Sequence, residues 1–307
     1  MMTRAFHLVR LIPIVALTAF APGLSSADTS LNEWVVKGFN ALEQNKSDNA
    51  LRYFEKAHKE HPYSHEIECY VGLGHFKNGN FALALEHYTR AAQGDPTLVD
   101  SAFLFYRASC YRALGLVSLE HDAWQHVREW DPDSEFAKTA RRALSEPTRE
   151  APTIDVLLSA GLELLDADKP YAAAAYFTEG YNQPNRNSSD AILCLAMALN
   201  ETGQYDATLE LKNRMADKHA DLMLLLRAYA FMMKDDYQHA LNELDGIADK
   251  DDVALRADRM RVLCNIRAGR QDESARGIER LVSNTDAADV DVFLRLLEQV
   301  GTSSYGE

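Results

Sequence analysis

The chain has 307 residues, with 32 Lys and Arg against 46 Asp and Glu, and a formal charge of −14. A surface this acidic repels phosphate backbones and anionic lipid, which counts against nucleic acid as a partner. The four cysteines stand far apart with no C-x-x-C pair, so neither a thiol redox site nor a structural zinc site is indicated.

Residues 1–27 read as an export signal. Arg4 and Arg10 precede the apolar run Leu11–Leu24, and Ser25 and Ala27 place small side chains at −3 and −1 of a cut before Asp28. The run is broken by Pro13, Pro22 and Gly23, and it falls short of the about 20 residues of a membrane span. Cleavage removes two bases and no acid, which takes the charge to −16 and addresses the mature chain to the periplasm or beyond the cell. Export permits disulfides. Cys69, Cys110, Cys194 and Cys264 each lie in an apolar helical segment, however, and are expected as buried free thiols.

The stretch from Gly72 to Asn80, GLGHFKNGN, places Gly74 and Gly79 at the glycine spacing of a phosphate-binding loop. Such a loop needs Lys and then Ser or Thr after the second glycine, and Asn80 and Phe81 stand there instead. An internal repeat accounts for the glycines. A shift of 34 residues aligns Gly38 with Gly72, Ala50 with Ala84, Phe54 with Tyr88, Ala57 with Ala91 and Pro62 with Pro96.

Together with Trp34, these positions resemble the tetratricopeptide repeat family, whose unit is a pair of antiparallel helices, A and B. The resemblance implies an all-α superhelical solenoid of helix pairs in two arrays. Three repeats and a closing helix (Ser134–Glu146) occupy 28–146, with Ala108, Tyr111, Gly115, Trp124 and Pro132 marking the third. Glu120 stands where that repeat should carry alanine, which suggests looser packing. A linker is expected at 147–153, where Pro147 and Pro152 interrupt any periodicity. About four degenerate repeats then fill 154–307, marked by Gly161, Ala173 and Phe177, by Gly203 and Tyr205, by Asp236, Tyr237 and Ala240, and by Gly269. Thr208 and Ser274 replace the expected alanines, and Ala287–Val300 is expected as a terminal helix covering the last stacking face.

No catalytic motif is present, and no enzyme, cofactor or metal is expected. His58, His61 and His65 are separated by a helix-breaking proline at 62, which denies them a fixed ligand geometry. DKDDV (249–253) lacks the glycine and final glutamate of a calcium loop.

In the family, positions 2, 5, 9 and 12 of the A helices line a concave face that takes partner peptides. Carried over, they give Val35, Phe39 and Leu42, then Leu73 and Phe76, then Phe105 and Arg112, and in the second array Leu222, Leu225, Tyr229 and Met232. Four further positions of the second half are Leu158, Leu162, Leu193 and Met197. Relatives that clamp a C-terminal carboxylate carry Lys and Asn where this chain has Val35 and Phe39, so that mode is not implied. The expectation is a non-catalytic scaffold of a bacterial cell envelope, holding a protein or peptide with an apolar or amphipathic segment and spanning no membrane after cleavage. The alternative is a carrier for a small apolar ligand held between the arrays.

Overall fold

The computed structural model describes residues 29–183, 188–211, 219–247 and 252–284; the export signal and the expected terminal helix lie outside them. Within these residues the chain is all-α, and no helix is long and apolar enough to cross a membrane. Three hairpins come first: α1 (Thr29–Glu43) with α2 (Ser47–Glu60), α3 (His65–Lys77) with α4 (Phe81–Gly94), and α5 (Ser101–Leu114) with α6 (Val117–Trp130). The closing helix α7 (Glu135–Ser145) packs on α6, and a fourth hairpin pairs α8 (Ile154–Asp166) with α9 (Pro170–Tyr181). Beyond it stand α10 (Ser189–Glu201) with α11 (Tyr205–Glu210), α12 (Ala220–Met233) with α13 (Tyr237–Asp245), and α14 (Asp252–Arg267) with α15 (Gln271–Asn284).

One turn chemistry closes all seven hairpins. Each A–B turn contains one left-handed residue: Asn45, Gly79, Gly115, Asp168, Gly203, Asp235 or Gly269, with φ between 56° and 78°. Glycine, asparagine and aspartate are the residue types that reach this region with least strain. Gly79 is therefore turn punctuation, not part of a phosphate cradle. In the first, second and fourth pairs the helices meet through a small-to-large contact. A Cβ at Gly38 would lie 2.3 Å from Phe54 Cε1, and one at Gly161 would lie 2.3 Å from Phe177 Cε1. Gly72 meets Tyr88 in the same way, and Ala50, Ala84 and Ala173 are wholly buried on the facing helices. The Gly161–Phe177 contact fixes the register of the fourth hairpin within its run of four alanines.

Glu120, in the alanine position of the third hairpin, is almost buried and fully engaged. It accepts from Trp124 Nε1 at 3.3 Å and pairs with Arg112 and with Arg149. A hydrogen-bonded carboxylate thus replaces the small side chain there.

The described chain divides into two compact units, 1–186 and 187–307. Residues 147–153 carry no helix, as their prolines require, but they do not separate the units. The fourth hairpin belongs to the first unit, because α9 packs back onto the B helices α4 and α6. The linker is itself tied down: Arg149 reaches Glu120 and the carbonyl of Arg112, and Pro152 O accepts from Gln183 at 2.5 Å.

In the second unit, polar contacts take over from missing small residues. Thr208 Oγ1 donates to Asn200 Oδ1 at 2.9 Å, and Asn200 Nδ2 donates to Leu226 O at 2.9 Å, so the threonine is buried with a partner. Arg227 and Arg261, 34 residues apart, each donate to a carbonyl at the end of the preceding B helix, Leu209 O and Leu244 O. All four cysteines are buried and free.

Candidate partner-binding surface

The A-helix positions expected to line an open groove are mostly packed core. Val35, Leu42, Leu73, Phe76 and Phe105 are buried, with Phe76 only 1% exposed, and Leu225 and Met232 are buried in the second unit. In the first unit the next inner helix supplies an aromatic side chain against three of these helices. Phe39 of α1 meets Tyr70 of α3 edge-on at 5.1 Å, and Phe76 of α3 meets Tyr106 of α5 at 5.0 Å. Phe105 of α5 meets Phe136 of α7 at 5.0 Å. Successive inner helices lie close enough for these rings to close the space a peptide would occupy. Phe39 and Tyr229 are half-buried, the latter against Tyr205 at 6.2 Å, and Leu222 is half-buried. Arg112 is held by Glu120 and Glu146 and is not free to anchor a partner.

Helix α8 departs from this pattern. Ile154, Leu158, Leu162 and Leu165 follow the i, i+4, i+8, i+11 spacing that puts them along one side of the helix. Within its unit α8 packs chiefly on α9, through Leu157 and Gly161; of the stripe, Leu162 is exposed and Ile154, Leu158 and Leu165 are half-buried. Leu162 is 44% exposed, although it holds the repeat position at which Leu73 is 1% exposed. Asp155 and Asp166 are exposed beside the stripe. The sequence did mark Leu158 and Leu162; what it could not mark is that Leu162 is left exposed where Leu73 is sealed.

A buried polar cluster where the start of α9 meets α3 and α4 carries no sequence signal. Glu68 is 3% exposed, and its Oε1 lies 2.9 Å from His87 Nδ1 and 3.1 Å from Arg90 Nη1. Burial pushes the Glu68 carboxyl up, but the His87 hydrogen bond and the charges of His87, Arg90 and His58 prevail and hold it below its ordinary value. His58 thus faces a carboxylate, and His65 packs its ring over Gly94, so the histidines noted in the sequence serve different contacts. His75 stacks on His87 at 5.1 Å, and burial, with His87 and Lys169 nearby, lowers its pKa to about 4. Arg90 spans from Glu68 to Glu86 and lies over the ring of Tyr171. Glu86, wholly buried, accepts from Ala172 N at 2.9 Å and so holds the start of α9. Glu68 with His87 and Arg90, and Glu86 with Ala172, each join one helix to another, so the cluster serves as a docking seam.

Glycine facing an aromatic ring in the first, second and fourth pairs, alanine at the return contact there, and a 34-residue period together decide the architecture. The fold is that of tetratricopeptide repeats. A tetratricopeptide repeat protein from Parabacteroides merdae is similar, 17% identical over 88% of this chain and 99% of its own, with a TM-score of 0.37. The TPR2AB domain of yeast Sti1, solved in complex with pHSP90, is 14% identical over 80% of this chain and 96% of its own, with a TM-score of 0.32. The C-terminal part of a tetratricopeptide repeat-containing protein from Cytophaga hutchinsonii is 16% identical over 83% and 97%, with a TM-score of 0.34. No protein-family model and no curated protein matches the chain. These superpositions are loose, and the fold rests on the packing of the tetratricopeptide units themselves.

Proposed function

We propose that this tetratricopeptide-type chain is a non-catalytic scaffold of a bacterial cell envelope that holds a partner protein on the outer stripe of α8. One observation carries the reading: α8 presents Leu162, 44% exposed, at the repeat position where Leu73 is 1% exposed, with Leu158 half-buried beside it. Apolar surface left in this way gains free energy from a docking helix or segment. The cavity formed by Asp258, Arg261, Arg276 and Arg280 in the second unit, about 250 Å³, is lined largely by charge and suits no apolar small molecule. The envelope address rests on residues 1–27, and the exported chain is expected to begin at Asp28 when its N-terminus is sequenced.

A photo-cross-linking amino acid placed at Leu162, and separately at Phe76, tests the surface in the native cell. Adducts to a discrete protein from position 162 and none from position 76 support the reading. Silence at 162, or equal labelling from both positions, rejects it.

A further inference from the structure

We propose, resting on the reading that α8 receives a partner segment, that its occupant is a basic amphipathic helix. The shape of the surface selects a helix. The stripe Ile154, Leu158, Leu162, Leu165 runs along the side of a helix, which offers no unpaired backbone donors or acceptors to an extended strand. A second helix laid alongside buries its own i, i+3, i+4 face against such a stripe.

The charge around the stripe selects the sign. From Glu150 to Asp168 the sequence carries Glu150, Asp155, Glu163, Asp166 and Asp168 and no Lys, Arg or His. All five carboxylates are exposed. The bases on either side face elsewhere: Arg149 is held by Glu120 and the Arg112 carbonyl, and Lys169 lies near His75 at the docked end of α9. A partner helix with lysine or arginine beside its apolar stripe therefore meets Asp155 and Asp166 along the flank of the stripe, in a segment that itself carries no cation. An acidic partner meets only repulsion. A second copy of this chain, docked α8 to α8, would set these carboxylates against their own kind, so self-association through this face is disfavoured.

The test uses the full mature chain and two synthetic helical peptides with one leucine stripe, flanked by lysine in the first and by glutamate in the second. Binding is read by fluorescence anisotropy at roughly 50 and 500 mM NaCl, which bracket strong and weak screening. The lysine peptide is expected to bind at least about tenfold tighter than the glutamate peptide at low salt, and to lose most of that advantage at high salt. Leu162→Ser is expected to weaken the lysine peptide about tenfold with an unchanged melting temperature, because the side chain is half exposed. Asp155→Asn with Asp166→Asn is expected to reduce the salt dependence, and Val36→Ser, an exposed apolar residue on α1, to change nothing. Equal binding of both peptides, still sensitive to Leu162→Ser, overturns the charge assignment and leaves the docking surface standing. Binding indifferent to Leu162→Ser, or no binding of either peptide, rejects the surface itself. A dimer in light scattering that Leu162→Ser dissolves assigns the face to a second copy and overturns the proposal.

Discussion

Glu179, in α9, caps helix α6 from 61 residues away. Its Oε2 accepts from Ser118 Oγ at 2.7 Å, from Ser118 N at 3.0 Å and from Leu119 N at 3.1 Å. Leu116 precedes α6 and offers no side-chain oxygen, so the first amides of that helix have no local acceptor. Glu86 does the same for α9, which begins after Lys169 with no side-chain cap of its own. Inner helices α3, α5, α7 and α10 are capped locally instead, by Ser64, Asp100, Ser134 and Ser188. Two buried carboxylates, one in each direction, thus join the fourth hairpin to the second and third.

Glu179→Ala should lower stability by about 2–3 kcal/mol, since it leaves buried amides without an acceptor at a helix N-terminus. Urea unfolding measures the loss. An effect below about 0.5 kcal/mol, the level of an ordinary surface change, would mean that the cap is immaterial to docking.

Gly38→Leu should destabilise by about 1–3 kcal/mol, because any side chain at that position meets the Phe54 ring and the helices must part. Gly79→Ala should act by a different route, through its φ of +78°, and should cost about 1 kcal/mol with no steric clash, since open space surrounds it. Thermal melts of the two variants separate these causes, and a larger loss at Gly79 than at Gly38 would contradict the packing account.

Tyr88 is wholly buried and its hydroxyl finds no hydrogen-bond partner. Tyr88→Phe removes the unpaired oxygen and keeps the ring that faces Gly72, Phe103 and Tyr106, so it should leave stability unchanged or raise it by about 1 kcal/mol. Tyr88→Ala should cost about 3–5 kcal/mol through the cavity it opens. Denaturant midpoints decide, and a destabilised Tyr88→Phe would show that the hydroxyl is engaged.

The docking seam should weaken in acid. His75 has a folded pKa of about 4, below its unfolded value of about 6.5, so the unfolded chain binds the extra proton between those limits. Stability therefore falls as pH drops from 6.5 towards 4. Glu68, also held below its ordinary value, extends the loss to lower pH in the same direction. The difference between wild type and His75→Gln, followed by urea midpoints from pH 7 to pH 4, should grow smaller as the pH falls. A constant difference would assign the acid sensitivity elsewhere.

The four buried thiols should resist modification in the folded protein. Burial raises Cys264 to about 11 and holds Cys69, Cys110 and Cys194 above their ordinary values as well. Ellman's reagent should react with none of them until urea unfolds the chain, and a reducing agent should leave the melting temperature unchanged. Rapid native labelling, or a melting point lowered by reductant, would contradict this.

The sequence by itself determined the repeating unit. Gly38 and Phe54, or Gly161 and Phe177, lie sixteen residues apart in one hairpin, and the left-handed turn residues recur with them. Such contacts are local, so residue size and backbone freedom at fixed spacing are enough to specify them. The tertiary structure decided what no spacing encodes. Leu73 and Leu162 hold one repeat position, yet the first is sealed beneath neighbouring helices while the second faces outward, because α8 has turned back with α9 onto the outer helices. That turn depends on Glu86 and Glu179 reaching amides 86 and 61 residues away. A buried carboxylate and an uncapped helix are each unfavourable alone, and only when the fold brings them together do they satisfy one another.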